Sequence, residues 1–348
     1  MTPFPLPTRE IKRAGLRLSE IGLGTATLGN LFEPVADEAA RATLEAALEQ
    51  GITYIDTAPY YGFGLSERRV GEALRERDGF TLSTKVGRLL LPDRSIHTDE
   101  LRHGFRSAMP FEPRFDYSYD GVLRSFEDSL DRLGLSRVDI VYVHDIGAVT
   151  HGVDDARCFE ALTRGGGLRA LERLRSSGAI RGFGVGVNEI EACLRVMDHA
   201  HLDVLLLAGR YTLLEQRAHD ELFPRCERAG TAVVIGGPYN SGILATGVKG
   251  QAALRYDYHR PSAEVIERVR QLEDLCDEFH VPLAAAALQF PLAQPVVVSV
   301  VPGLDRAERV AETLALYRIP IPPALWDGMR ARGLLGETVP VPRAVSSR

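Results

Sequence analysis

The sequence predicts an α/β chain folded as a (β/α)8 TIM barrel with an N-terminal hairpin and long βα loops, and three observations carry that expectation. Eight short apolar runs of strand length alternate with helix-length amphipathic segments. No linker or low-complexity stretch breaks the alternation, so one barrel domain over 1–348 accounts for the chain, with 1–8 an extended tail and 335–348 a C-terminal tail. The runs end in Gly24-Thr25, Asp56, Lys85, His144-Asp145, Asn188, Ala208-Gly209, Gly236-Gly237 and Pro302-Gly303. In a parallel barrel all these ends lie on one face, where barrel enzymes place their chemistry. A doubly wound open sheet is the competing architecture and would carry a Gly-rich dinucleotide turn. Gly22-Leu-Gly24, Gly62-Phe-Gly64 and Gly182-Phe-Gly184-Val-Gly186 each fail to complete G-x-G-x-x-G.

Taken in order, Arg9–Leu18 reads as a hairpin turning at Ala14-Gly15, and Ser19–Gly24 as the first barrel strand. Asp37–Gln50 reads as a helix capped by Asp37 and stopped at Gly51. Ile52–Ile55, Leu65–Leu74 and Phe80–Thr84 form strand, helix and strand, a βαβ unit. Residues 86–120 show little periodicity and read as a long loop, as does the stretch from Asp145 to about Gly167. Gly121–Leu133 is a helix and Val138–Val143 a strand. Helices follow at Leu168–Ser177, Glu189–Ala200 and His219–Ala229, with strands at Ile180–Val187, Val204–Leu207 and Thr231–Ile235. Ala263–Phe279 and Leu283–Phe290 are helical, Pro295–Val301 is the last strand, and Arg306–Tyr317 and Pro323–Leu334 are the last helices.

Composition narrows the function. A formal net charge of −6 argues against nucleic acid or an anionic membrane as partner. The N-terminus lacks a signal pattern, and the most apolar window, Val281–Leu304, is interrupted by prolines and glutamines, which excludes a plain membrane span. Cys158, Cys193, Cys226 and Cys276 form no metal or redox spacing and read as reduced thiols of a cytoplasmic protein. Arginine is the default cation: Lys12, Lys85 and Lys249 are the only lysines. Lys85, at the end of an apolar strand, therefore stands out, because lysine but not arginine titrates and acts as a compact charge.

The strand ends discriminate between reaction classes. A glycosidase needs two flanking carboxylates, and Asp56 stands close to a lysine that holds it ionised. Metal chemistry lacks a ligand set, because His144, Asp145 and His151 share one loop without a ligand spacing. A Schiff-base lysine is disfavoured by the carboxylate beside Lys85. Acid–base chemistry through Tyr61 remains. Parallel crossovers bring Asp56, Tyr61 and Lys85 to one edge. An ammonium there lowers the pKa of a phenol from its ordinary value near 10, at about 1.4 kcal/mol per unit. His144 is placed to hydrogen-bond the substrate oxygen.

Asp56-Thr57-Ala58 with Tyr61-Gly62, Ser83-Thr84-Lys85-Val86-Gly87 and the strand Val141-Tyr142-Val143 ending in His144 resemble the catalytic motifs of the aldo-keto reductase superfamily. That resemblance implies a barrel binding NAD(P) in extended form, with Tyr61 as general acid/base, Lys85 and Asp56 tuning it, and His144 orienting substrate. It implies cofactor contacts from Gly24, Thr25, Asp56, Asn188, Gly237, Pro238, Asn240, Gly242, Pro302, Gly303, Arg309 and Glu312, the last two toward the adenosine end, and no metal. The sequence departs from the family where Val187 precedes Asn188 in place of a serine, where Ala208 replaces a glutamine, and where Gly236-Gly237-Pro238-Tyr239 replaces an aromatic shelf. The wording LLLAGRYTLLEQ (205–216) and GGPYNSGIL (236–244) is similar to a subgroup that includes aldose 1-dehydrogenases and pyridoxal 4-dehydrogenases. The implied activity is oxidation of the anomeric hydroxyl of a small aldose, of the L-fucose or D-threo type, to a lactone. Pyridoxal oxidation, NADPH-dependent aldehyde reduction and a redox-sensing binding subunit are the alternatives. The sequence leaves NAD against NADP, and self-association, open.

Overall fold

A closed floor positions everything above it. The computed structural model describes residues 6–107, 109–250 and 253–342. Its first element is the hairpin β1 (Thr8–Ile11) and β2 (Leu16–Ser19), paired antiparallel. Ile11, Leu16 and Leu18 are buried against Tyr54, Ile140, Val204 and Ala232, at the starts of the barrel strands. Arg9 donates to the carbonyl of Val297 at 2.8 Å and Arg181 to that of Gly15 at 2.6 Å, locking the hairpin onto the floor. Substrate therefore has only the opposite, C-terminal mouth to enter.

Barrel strands β3 (Leu23–Gly24), β4 (Tyr54–Asp56) and β5 (Thr81–Val86) follow. The next segment forms β6 (Arg88–Pro92), β7 (Leu101–Arg102), β8 (Phe105–Arg106) and β9 (Phe111–Phe115). The barrel resumes with β10 (Ile140–His144), β11 (Gly182–Val187), β12 (Val204–Ala208), β13 (Ala232–Gly236) and β14 (Val297–Val301). These eight barrel strands pair in chain order, all parallel. Gly22 N–H to Val300 O and Gly24 N–H to Pro302 O, both 2.9 Å, close the ring. The strands are buried along almost their whole length, as a parallel sheet covered by helices requires. No helix among the described residues is long and apolar enough to cross a membrane.

Four expectations need correction. Asp37 does not cap its helix: it is the first helical residue of Asp37–Glu49, Ala36 holds the cap position, and the carboxylate takes Arg69 instead. Residues 86–120 are not irregular, because β6 pairs with β9 and β7 with β8, a ribbon too short and proline-broken to show a period. The stretch after β10 contains helices Ala148–His151 and Asp155–Leu162. The helix expected at 219–229 is two, Ala218–Glu221 and Phe223–Ala229, because Pro224 has no N–H to bond back one turn. At the ends, Leu6, Leu335 and Val339 are buried, while 1–5 and 343–348 lie outside the described residues.

Candidate active site

Tyr61 is seated by backbone. It lies in the β4 loop, whose N–H groups at Tyr61 and Ser66 bond Ala58 O and Tyr61 O, each at 3.1 Å. Gly62 holds φ +65°, and a Cβ there would run into the carbonyl of Gly29. A Cβ on Gly29 would in turn come 2.6 Å from the Tyr61 carbonyl carbon. Both positions need glycine so that the two loops touch and the phenol points to the barrel axis.

Beside it, β4 and β5 present a buried ion pair. Lys85 Nζ is 2.6 Å from Asp56 Oδ2 and donates to Thr57 O at 2.9 Å, with both side chains almost fully buried. Ser83 Oγ donates to Asp56 Oδ1 at 2.7 Å, so each carboxylate oxygen is satisfied and the pair avoids the cost of an incompletely compensated buried charge. The Lys85 ammonium lies 4.7 Å from the centre of the Tyr61 ring. The His144 ring, at the end of β10, stands edge-on to the same ring at 5.9 Å. Asp56, Tyr61, Lys85 and His144 thus converge as the βαβ argument requires.

Their electrostatics differ from expectation in one respect. The Tyr61 phenol is pushed well above its ordinary pKa by burial and by the carboxylates of Asp56 and Asp145, with Arg88 opposing. Burial is the largest cause, and Asp56, which Lys85 pairs with at 2.6 Å, is the first of the two carboxylates that raise it. His144 is pushed well below its ordinary value by burial, with Arg88 and Lys85 adding to the effect. The site therefore presents a protonated phenol and a neutral imidazole, two groups able to donate to one oxygen. His144 Nδ1 is buried without a partner among the described residues, and Nε2 is 3.5 Å from Asp145 Oδ2.

Three neighbours outside the catalytic motifs complete the surroundings. Arg88, the first residue of β6, stacks its guanidinium 3.7 Å from the Tyr60 ring centre and pairs with Asp145. Tyr117 donates to His144 O at 2.7 Å and fixes the backbone at the end of β10. Tyr258 belongs to a tight turn, Tyr256–His259, in which Asp257 and Tyr258 both take left-handed φ, +46° and +65°. Tyr258 is 55% exposed as a residue, yet burial around its hydroxyl pushes its pKa up to about 12, with Tyr61 and Asp145 raising it further and Asn188 opposing. In a chain whose default cation is arginine, no composition signal marks Arg88. Two adjacent left-handed non-glycine residues leave none for Tyr258.

The proposed cofactor positions follow the mouth from β11 to β3. Asn188 is half-buried, and its carbonyl takes Arg210 Nε at 2.7 Å. Gly237 is exposed with φ +54°, Pro238 is buried, and Asn240, Ser241 and Gly242 form a run of three left-handed residues. Asn240 Oδ1, the Tyr239 hydroxyl and Arg309 Nε are buried without hydrogen-bond partners among the described residues. Glu312 is exposed, 3.4 Å from Arg309 Nε. Gly24 and Gly303 face each other across the closing seam beside buried Pro302. Thr25 is fully buried, and its hydroxyl is spent on Asp56 O at 2.8 Å. A groove edged by glycines and unmet polar atoms fits an extended dinucleotide. Among the described residues no group of His, Cys, Asp or Glu could hold a metal ion.

The aldo/keto reductase family profile matches residues 20–331. The chain belongs to that family. It is an NAD(P)-dependent oxidoreductase, built on a (β/α)8 barrel. It is 45% identical to a pyridoxal 4-dehydrogenase of Microbacterium luteolum, over 94% of this chain and 97% of that protein. It is 38% identical to a D-threo-aldose 1-dehydrogenase of a Pseudomonas species, over 90% of this chain and 93% of that one. The fold matches an aldo-keto reductase of Bacillus halodurans in its holo form with a TM-score of 0.71 at 24% identity, covering 96% of this chain and 98% of that one.

Size alone would have misplaced the site. Hollows of about 460 Å³ at Ala253–Ile266 and about 470 Å³ around Met197–Thr231 exceed the cavity of about 190 Å³ lined by Tyr60, Arg88, His103 and Phe115. The second of these lies before β12 and β13, on the floor side. The smallest is lined by Tyr60, whose ring packs edge-on to His144 at 6.1 Å.

Proposed function

We propose that this reductase-family chain oxidises the anomeric hydroxyl of a small aldose, of the L-fucose or D-threo type, to a lactone. The observation that carries the reading is the meeting of Tyr61 and a neutral His144 over the buried Asp56–Lys85 pair, near a small cavity lined by Tyr60, Arg88 and His103. Tyr61 takes the hydroxyl proton, His144 holds the same oxygen by a hydrogen bond, and Asp56–Lys85 fixes the local field. The bound nicotinamide supplies the acceptor for the hydride leaving the anomeric carbon. Asn188, Gly237, Pro238, Asn240 and Gly242 would hold its nicotinamide half, and Gly24, Thr25, Pro302, Gly303, Arg309 and Glu312 the rest, with Asp56 below. Tyr258, whose hydroxyl faces Asn188, closes the rim that lacks the family's aromatic shelf. A cytoplasmic location belongs to the same reading, since all four cysteines are buried free thiols.

A second substrate has its own support. The relative of 45% identity is named for pyridoxal, whose cyclic hemiacetal presents the same kind of hydroxyl. Reduced-nicotinamide absorbance followed with L-fucose, D-arabinose and pyridoxal, each with NAD+ and NADP+, separates these readings. Fast signal growth with a sugar supports the aldose reading and names the cofactor. Growth with pyridoxal alone changes the substrate and keeps the chemistry. No growth, with NADPH consumed by simple aldehydes instead, sinks lactone formation and leaves a general reductase.

A further inference from the structure

We propose that Asp145 and Arg88 form a subsite that recognises a hydroxyl oxygen carried on the atom next to the reacting carbon. The proposal deepens the functional reading and rests on its premise that the reacting oxygen meets Tyr61 and His144.

The two residues leave adjacent strands. Arg88 opens β6 just after β5, and Asp145 follows the last residue of β10. Asp145 takes a left-handed φ of +50°, which a residue with a Cβ adopts at a cost, and its N–H is held by Gly186 O at 2.9 Å. That backbone turns the carboxylate toward the mouth instead of into the helix layer. Arg88 Nη2 meets Asp145 Oδ2, and His144 Nε2 approaches the same oxygen at 3.5 Å. Oδ1 accepts no hydrogen bond from the described residues, although the carboxylate side chain is only 18% exposed.

The arginine is also incompletely used. Its guanidinium lies between the rings of Tyr60 and Phe115, at 3.7 and 4.7 Å, and its side chain is 7% exposed. Nε is buried with no acceptor among the described residues. A pair kept only to tie two loops together would gain by satisfying these atoms, because each unmet polar group in a dry site carries a desolvation penalty. Here an open carboxylate oxygen on Asp145 and an unmet N–H on Arg88 belong to one ion pair, and Arg88 lines the cavity of about 190 Å³ beside Tyr60, Phe115 and Pro113. A hydroxyl is the chemical group that donates to the first and accepts from the second. It must sit close to the reacting carbon, because Asp145 lies within 3.5 Å of the imidazole that holds the reacting oxygen. An aldose, with oxygen on its second carbon, meets that requirement; pyridoxal, whose ring hydroxyl is one atom further from the reacting carbon, does not.

The test compares reduction of glyceraldehyde, which carries the neighbouring hydroxyl, with that of propanal, which does not. The readout is the ratio of their kcat/KM values with the reduced cofactor. The wild-type ratio should exceed about tenfold, and Asp145→Asn should bring it close to unity, mainly through the KM for glyceraldehyde. Cofactor titration by protein fluorescence checks that the variant is folded. Arg88→Met reads the same ratio should the first variant fail that check. A wild-type ratio near one overturns the subsite. So does a variant that slows both aldehydes equally, since that is the mark of general damage or of an effect through His144. If no lactone forms from any sugar or pyridoxal but the ratio behaves as described, the subsite stands and the lactone reading falls.

Discussion

The two halves of the barrel mouth are built by different means. On the β4–β5–β10 side, function is carried by side chains on strands: Asp56 and Lys85 are buried and paired at 2.6 Å, and His144 is buried beside them. On the β11–β13 side it is carried by backbone and loops. There the residues are Asn188, a left-handed run from Asn240 to Gly242, and the turn Tyr256–His259. That turn is held by Arg210, which takes both carboxylate oxygens of Asp257 at 3.0 and 2.8 Å and remains partly exposed. The first half is rigid because a buried charge tolerates no alternative partner. The second is held by loop backbone and partly exposed groups such as Arg210 and Asp257, the kind of part from which a ligand-binding region is drawn.

The largest effect should come from the rigid half. Tyr61→Phe removes one oxygen and leaves the Asp56–Lys85 pair and the cofactor groove in place. Turnover should fall by about a thousandfold or more while cofactor affinity, read by fluorescence titration, stays within a few-fold. Activity within tenfold of the parent would mean that another group moves the proton, and the division of labour between the halves would be wrong.

A smaller contrast is in stability. Lys85→Met strands the Asp56 carboxylate in the barrel interior and should cost about 3–5 kcal/mol in urea unfolding. Arg210→Met releases a partly exposed pair on the other side and should cost about 1 kcal/mol or less. Equal losses would show that the turn at Tyr256–His259 is as integral to the fold as the barrel pair. Loss of cofactor affinity in Arg210→Met without loss of stability would sharpen the distinction, because Arg210 also holds Asn188 O.

The same contrast explains what could be read from the sequence. Barrel strands and most helices announce themselves by apolar period, and Asp56, Tyr61, Lys85 and His144 by residue type at strand ends. Lys85 was especially legible because the chain has so few lysines. Arg88 was hidden for the complementary reason, being one arginine among many. The ribbon β6–β9 was hidden because strands of two to five residues carry too few alternations to register. Tyr258 lies about twenty residues beyond β13 in sequence and reaches the site only through a turn that residue preferences argue against. The sign of the Tyr61 shift is not legible because its largest cause is burial, which residue type and spacing do not report, with the carboxylates of Asp56 and Asp145 adding to it.

That shift yields a last, graded prediction. The groups facing Tyr61 are Asp56 and Asp145, which raise its pKa, Arg88, which lowers it, and Lys85, which is ion-paired with Asp56. Below a raised pKa the phenol is almost wholly protonated, and its base fraction grows about tenfold per pH unit. Oxidation, which needs the base, should accelerate steadily from about pH 7 toward about pH 9. Reduction, which uses the phenol as acid, should stay nearly flat over that range. His144 is held well below its ordinary value by burial, so neither direction should show an inflection near about pH 6.5. Profiles of kcat/KM in both directions decide the matter. A flat oxidation limb would place the proton acceptor elsewhere. An inflection near the ordinary histidine value would mean that His144 titrates, and that the rigid half of the mouth is wetter than its burial implies.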